Sequence, residues 1–289
     1  SSDQTARLWD VITGKELRRF SDHGTITSVA FSPDGKYIGT GTYDNQQDGP
    51  PSYNMHFSGK AVVWNTLTGQ KVREFPPNTG VNKVMFSSNG NLLLTAGRDG
   101  LQLWDIETGI LKTQIEQSQG VAFYTINFSE DYIIANIPLY PLYSIINIWN
   151  INSGKHISTN KVKGTIMGIS YIINQNTFKI LYSNWINSVG HYNIQVNTIS
   201  GENLGDSEIN IFYEPYNAYN APYIAIFSKD GTYLLTSDGS SVRLISLISG
   251  QQISSVGVYA SKIAVSPDMK YLVIANEKEL RLYSTTISP

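Results

Sequence analysis

Apolar and polar residues alternate along this chain in short runs, and the runs break at clusters of Gly, Pro, Asn, Asp and Ser. A period of two with such breaks predicts β-strands linked by tight turns. Two motifs recur at the breaks. In the first, an apolar residue precedes Trp and then Asp or Asn, with Gly five places after the Trp: Leu8-Trp9-Asp10 with Gly14, Val63-Trp64-Asn65 with Gly69, Leu103-Trp104-Asp105 with Gly109, and Ile148-Trp149-Asn150 with Gly154. Weaker copies follow in Gln195-Val196-Asn197 with Gly201 and Leu244-Ile245-Ser246 with Gly250, and Leu282-Tyr283-Ser284 repeats the motif without its Gly. The second motif falls between these anchors, as in Phe31-Ser32-Pro33-Asp34-Gly35, Phe86-Ser87-Ser88-Asn89-Gly90, Phe128-Ser129-Glu130-Asp131, Phe227-Ser228-Lys229-Asp230-Gly231 and Val265-Ser266-Pro267-Asp268. Pro presets φ and Asp-Gly supplies the reversal, so each marks a turn between two strands.

These motifs resemble the WD40 repeat, strongly as far as Gly109 and more loosely beyond it. The resemblance implies an all-β chain folded as a WD40-type β-propeller of four-stranded blades. The anchors at 9, 64, 104, 149, 196, 245 and 283 are separated by 55, 40, 45, 47, 49 and 38 residues, against roughly 40 to 45 for an ordinary repeat. Several units therefore carry insertions. Seven blades are expected, the first incomplete in this chain, with six closed blades as the alternative. Residues 1–20 form the partial blade, and further units occupy about 15–65, 70–105, 110–150, 155–197, 202–246 and 251–285. The chain opens in mid-repeat, so roughly 25 to 30 upstream residues would complete the first blade. A single propeller domain over residues 1–289 is expected, because one blade cannot bury both of its faces alone.

The resemblance also implies a buried hydrogen-bonded chain in each blade, running from a His through a hydroxyl and an Asp to the Trp. His23, Thr42, Asp44 and Trp64 match all four positions, and Ser1, Asp3 and Trp9 match the last three. Asp99 and Trp104 match two, with Gly97 standing where the hydroxyl would be. A His/Asp/Ser set can suggest catalysis, but here the residues read as structural polar groups satisfying one another.

Composition narrows the function. Lys and Arg number 21 against 23 Asp and Glu, a net charge of −2 without a basic block, so the electrostatic footprint of a nucleic-acid binder is missing. The absence of cysteine removes disulfides and thiolate zinc sites and leaves the compartment open. Residues 132–151 are apolar but broken by Pro138, Pro141 and three Asn, which suits buried strands better than a membrane span. Four histidines at 23, 56, 156 and 191 show no metal spacing, and no nucleophile elbow or phosphate loop is present, so neither a catalytic residue nor a metal or cofactor is assigned. Gly39-Thr40-Gly41 ends a strand and lacks the following helix that a nucleotide fingerprint needs. Asn127-Phe128-Ser129 has glycosylation spacing, yet its place at a strand end favours packing.

The extra residues fall in four stretches that the WD40 arrangement puts on one face: 44–59 with Tyr53, His56 and Phe57, 136–144 with Tyr140 and Tyr143, 184–190 with Trp185, and 205–222 with Tyr213, Tyr216 and Tyr219. Turns on the opposite face, such as 13–15, 32–36 and 228–232, stay short. Aromatics on loops held by a rigid scaffold suit an interface core, although they could also pack on one another merely to order the loops. The expected function is a non-catalytic scaffold that binds a protein or peptide through this face, possibly within a larger chain or assembly, without nucleic acid and without membrane insertion. Alternatives are the ligand-sensing propeller of a larger signalling protein, a propeller enzyme with a central-channel site, and a structural subunit of a permanent assembly.

Overall fold

In the computed structural model, placement is described for all residues except 1–2, 47–55, 79, 98–99, 116–124, 130, 140–142, 173–176, 186–191, 201–202, 214–223, 238–239, 261, 267, 277–278 and 285–289. For strand positions 45–46, 56–57, 77–78, 125, 138–139, 165, 167, 171–172, 177, 181–185, 192–200 and 203–213 it describes the backbone alone.

Among the described residues every regular element is a strand. β1 (Thr5–Trp9) pairs with β2 (Glu16–Ser21) in a two-stranded sheet. Five sheets of four strands follow. They comprise β3 (Thr25–Phe31), β4 (Tyr37–Gln46), β5 (His56–Asn65) and β6 (Lys71–Asn78); then β7 (Val81–Phe86), β8 (Leu92–Gly97), β9 (Gly100–Asp105) and β10 (Leu111–Ile115). The next are β11 (Thr125–Phe128), β12 (Tyr132–Leu139), β13 (Tyr143–Asn150) and β14 (His156–Lys163); and β15 (Thr165–Ile172), β16 (Thr177–Trp185), β17 (Tyr192–Ser200) and β18 (Asn203–Tyr213). The fifth holds β19 (Ile224–Phe227), β20 (Tyr233–Ser237), β21 (Val242–Ser246) and β22 (Gln252–Val256). A three-stranded sheet of β23 (Lys262–Val265), β24 (Tyr271–Ala275) and β25 (Leu280–Ser284) ends the series.

The count of blades is therefore five, rather than seven or six. Six of the seven anchors lie on the third strand of their sheets, and Trp9 lies on β1, whose sheet has two strands among the described residues. Counting anchors counts third strands, however, and the sheets of β1 and β25 hold only two and three strands among the described residues. The chain divides into two compact units, one of Ser1–Phe123, Phe128–Ile133 and Trp149–His156, the other of Tyr124–Asn127, Ile134–Ile148 and Ile157–Pro289.

The anchor motif builds the turn from third to fourth strand. Asp10 Oδ1 accepts from the backbone N–H groups of Ile12 and Thr13, and Asn65 Oδ1 from those of Leu67 and Thr68. Asp105 holds Thr108 and Asn150 holds Ser153 in the same way. Gly14, Gly69, Gly109, Gly154 and Gly250 close these turns with φ between +65° and +76°, each N–H donating to the carbonyl four residues back. That left-handed conformation is why Gly stands five places after the Trp.

The second motif builds the turn from first to second strand. Ser32 Oγ donates to Asp34 Oδ1 at 2.7 Å while accepting from Tyr37 N–H at 2.9 Å. Ser87 with Asn89, Ser228 with Asp230 and Ser266 with Asp268 repeat it. The Ser32 hydroxyl and the Lys36 N–H hold the Asp34 carboxyl down to about 2, from an ordinary 3.8. A depressed carboxyl stabilises the fold above its unfolded value, and that stabilisation is lost as pH falls through the folded one. The melting temperature should thus drop between about pH 4 and pH 2. Asp34→Asn keeps the acceptor, as Asn89 does naturally, but not the charge, so it should lower the melting temperature slightly at pH 7 and shallow that drop, measured by calorimetry across the range.

Core packing runs between neighbouring sheets. Phe20, Ile38, Val62 and Trp64 form one cluster and Ala61, Val63, Phe75, Val81, Val84, Leu93, Trp104 and Ile106 the next. Burying each of these large side chains contributes roughly 1.5–3 kcal/mol. The innermost strands β3 and β7 also bond directly, since Thr27 Oγ1 donates to the Val81 carbonyl and Ser28 Oγ accepts from Val84 N–H at 3.1 Å. Gly39-Thr40-Gly41 serves this packing. A Cβ on Gly39 would lie 3.0 Å from Phe86 Cε2, and one on Gly41 would lie 2.7 Å from Val81 Cγ1.

Candidate functional site

The residues matched to the polar chain partition differently from the family pattern. Trp64 Nε1 donates to Thr40 Oγ1 at 2.9 Å, two residues before Thr42. Thr42 Oγ1 instead accepts from Lys60 N–H at 3.1 Å and donates to its carbonyl. Trp104 Nε1 donates to Thr95 Oγ1 at 3.1 Å, so its sheet has a hydroxyl even though Gly97 lacks one. Asp44 is half-buried opposite Ser58, and the His23 side chain is exposed. Asp3 accepts from Thr5 and Arg7, Trp9 is 44% exposed, and Ser1 and Asp99 lie outside the described residues.

Thr236 occupies the equivalent place on β20, but Ile245 stands where the Trp would, and the Thr236 hydroxyl is buried without a hydrogen-bond partner. Thr95→Val should therefore cost about 1–2 kcal/mol by orphaning an indole N–H, whereas Thr236→Val should be neutral or stabilise by up to about 1 kcal/mol. Urea denaturation of the two variants checks the contrast.

A charged cluster escaped the sequence reading. Asp22, with its side chain 1% exposed, meets Lys60 Nζ at 3.1 Å and Lys71 Nζ at 3.5 Å, and Lys60 also meets Glu74 at 3.0 Å. Burial draws the Lys60 pKa down, but the Glu74 and Asp22 carboxylates outweigh it and hold it above the ordinary lysine value. The Lys60 hydrogen bond keeps the Glu74 carboxyl below its usual range. The carboxylates and ammoniums neutralise one another, so the cluster acts as a structural tie. Among the described residues no group of three or more His, Cys, Asp or Glu could hold a metal ion.

The described residues of the four insertions are strand extensions. Residues 44–46 and 56–58 lengthen the β4–β5 hairpin, with Gln46 opposite His56 and Asn45 opposite Phe57. Asn136 to Leu139 lie in β12, and Tyr143 opens β13. Residues 205–213, expected as loop, are part of β18. In an antiparallel meander the turn from second to third strand and the exit from the fourth share one end, so the described residues of the first three insertions sit at that end of their own sheets, while β18 carries residues 205–213 from beside Asn197 toward it.

Tyr143 is 39% exposed, with the Lys161 ammonium 4.1 Å from its ring centroid. Trp185 pairs with Tyr192, and Tyr192 with Tyr213, so the register sets three aromatic positions in one row. Tyr192 was not among the predicted residues, although it stands two places beyond the third insertion. Tyr53, Tyr140, Tyr216 and Tyr219 lie outside the described residues. The Asn127 amide donates to the Ile169 carbonyl at 3.1 Å, which is a packing role.

A family model described as "WD domain, G-beta repeat" matches residues 14–46 and 69–105. Within these two segments the chain matches WD40 repeats. Both matched WD40 segments run through the first-to-second-strand turns and hairpins described above. Among curated relatives, pre-mRNA-processing factor 19 homolog 2 of Arabidopsis thaliana is 33% identical over 110 residues, covering 37% of this chain and 18% of that protein. The chain thus spans under a fifth of that relative's length. A solved Kuenenia stuttgartiensis hydrazine synthase chain superposes with a TM-score of 0.76 at 12% identity, covering 99% of this chain and 90% of that one. The β-propeller domain of Myceliophteria thermophila Cps50 (Swd1) gives 0.72 at 16% identity, with coverage of 99% and 91%. These likenesses establish the fold as an all-β, WD40-type β-propeller and carry nothing of either protein's chemistry.

Proposed function

We propose that this WD40 chain is a non-catalytic scaffold that binds a protein or peptide through the sheet ends where its hairpins are lengthened. The observation that carries the reading is an asymmetry. At one end of the sheets, Ser–Asp and anchor turns are short and satisfied by their own side chains. At the other end the strands are extended, and Tyr143, Trp185, Tyr192 and Tyr213 stand at their termini. Large aromatics on rigid hairpins offer contact area at little entropic cost. His56, Phe57 and Tyr53 extend the same reading to sheets of the first unit, and Tyr140, Tyr216 and Tyr219 to sheets of the second.

Affinity capture from a source lysate tests this, comparing the parent with a folded variant carrying Tyr143→Ala, Trp185→Ala, Tyr216→Ala and Tyr219→Ala. A partner retained by the parent and lost by the variant supports the face; equal capture by both places the interface elsewhere.

A further inference from the structure

In the first two sheets the outer strands follow one rule, from which the third departs with Ile115 opposite Leu101. The fourth-strand residue paired with the position three before the anchor is Phe20, opposite Ala6, and Phe75, opposite Ala61. Each packs against the next sheet's anchor, Phe20 on Trp64 with ring centroids 5.8 Å apart and Phe75 on Trp104 at 5.4 Å. In the second unit the same position of β22 is Val256, opposite Val242, and the next anchor is Tyr283. Both members of the pair are smaller. A cavity of about 420 Å³ opens there, with Val256 and Tyr283 in its lining beside Leu235, Leu272, Ser254 and Met269.

Met269 is a second anomaly at the same place. It has φ +59°, at the turn position that Gly35, Gly90 and Gly231 fill elsewhere, a conformation rare for a residue with a side chain. Its side chain is buried, and a flexible thioether adapts to what it packs against. Backbone outliers of this kind cluster at ligand sites.

We propose that this cavity binds an uncharged small molecule of one or two aromatic rings, seated against Tyr283 where a Phe ring sits in the first unit, with Met269 shifting to admit it. The volume falls within the range of roughly 300–1,000 Å³ usual for small-molecule pockets. None of the lining residues is charged, so an ionic ligand would lose its hydration without a partner. Hydroxyls of Tyr233, Ser254 and Ser255 can orient a ring substituent. This site is separate from the proposed protein-binding face and stands or falls independently of it.

The test uses protein labelled with ¹³C at the methionine ε-methyls, four signals in all, with Met269 assigned through Met269→Leu. Titration with indole should shift the Met269 signal saturably and leave the other three in place. Indole-3-acetate should bind at least tenfold more weakly. Val256→Phe, which fills the cavity, should abolish the response, and Ser254→Leu on the exposed strand should weaken it tenfold if the first variant does not fold. A non-saturating shift, movement of all four signals, equal binding of the acetate, or an undiminished response in the folded variants overturns the proposal.

Discussion

Gly97→Ala should destabilise the first unit by about 3 kcal/mol, with Gly59→Ala close behind. A Cβ on Gly97 would be driven into the Gly80 carbonyl oxygen, and one on Gly59 into the Thr42 carbonyl and to 2.6 Å from Gly80 Cα. These obstacles are backbone, so no rotamer change relieves them, and β4, β5, β7 and β8 would have to move apart. Gly14→Ala is the control. Its Cβ would meet nothing within 4 Å, so only the left-handed φ of +66° is penalised, at about 1–2 kcal/mol. Urea denaturation should rank Gly97 and Gly59 well above Gly14; equal losses would mean that the close approaches at Gly97 and Gly59 cost no more than the left-handed backbone of Gly14.

Lys60→Met should cost about 2–3 kcal/mol. It leaves the buried Asp22 carboxylate with the His23 N–H on Oδ1 at 2.9 Å and Lys71 at 3.5 Å, while Oδ2 already lacks a hydrogen-bond partner. Removing one member of a buried pair typically costs about 3–5 kcal/mol, and the remaining lysine moderates the loss. Adding Asp22→Asn to Lys60→Met should recover part of the stability, because the uncompensated charge goes with it. A double-mutant cycle in urea measures this; no recovery would show that Lys60 acts through its alkyl stem instead.

The strand order was legible because the turns are local. Asp10, Asn65 and Asp105 bind N–H groups two or three residues away, and Ser32 and Ser87 reach across five, so the chemistry of each turn is written within one motif. The tryptophan partners were half legible. A strand shows one face to the core at every second residue, so Thr40 and Thr42 are both eligible from sequence, and only the packed sheet selects Thr40. The tie among Asp22, Lys60 and Glu74 was invisible, since its members come from three different stretches of chain. Within the expected insertions at 44–59 and 205–222, the described extra residues continue the strands because alternation persists through Phe57 and through Ile209 and Ile211. The cavity beside Val256 could not be read at all, because a missing volume appears only when Val256 is set beside Phe20 and Phe75 of the first two sheets.

The most direct test of the scaffold reading is amide hydrogen exchange on the free protein and on its complex with the captured partner. Protection on binding should concentrate in residues 44–59, 136–144, 184–192 and 205–222, while the turns at 13–15, 32–36 and 228–232 exchange as before. Protection confined to those short turns, with the extended hairpins unchanged, would contradict it.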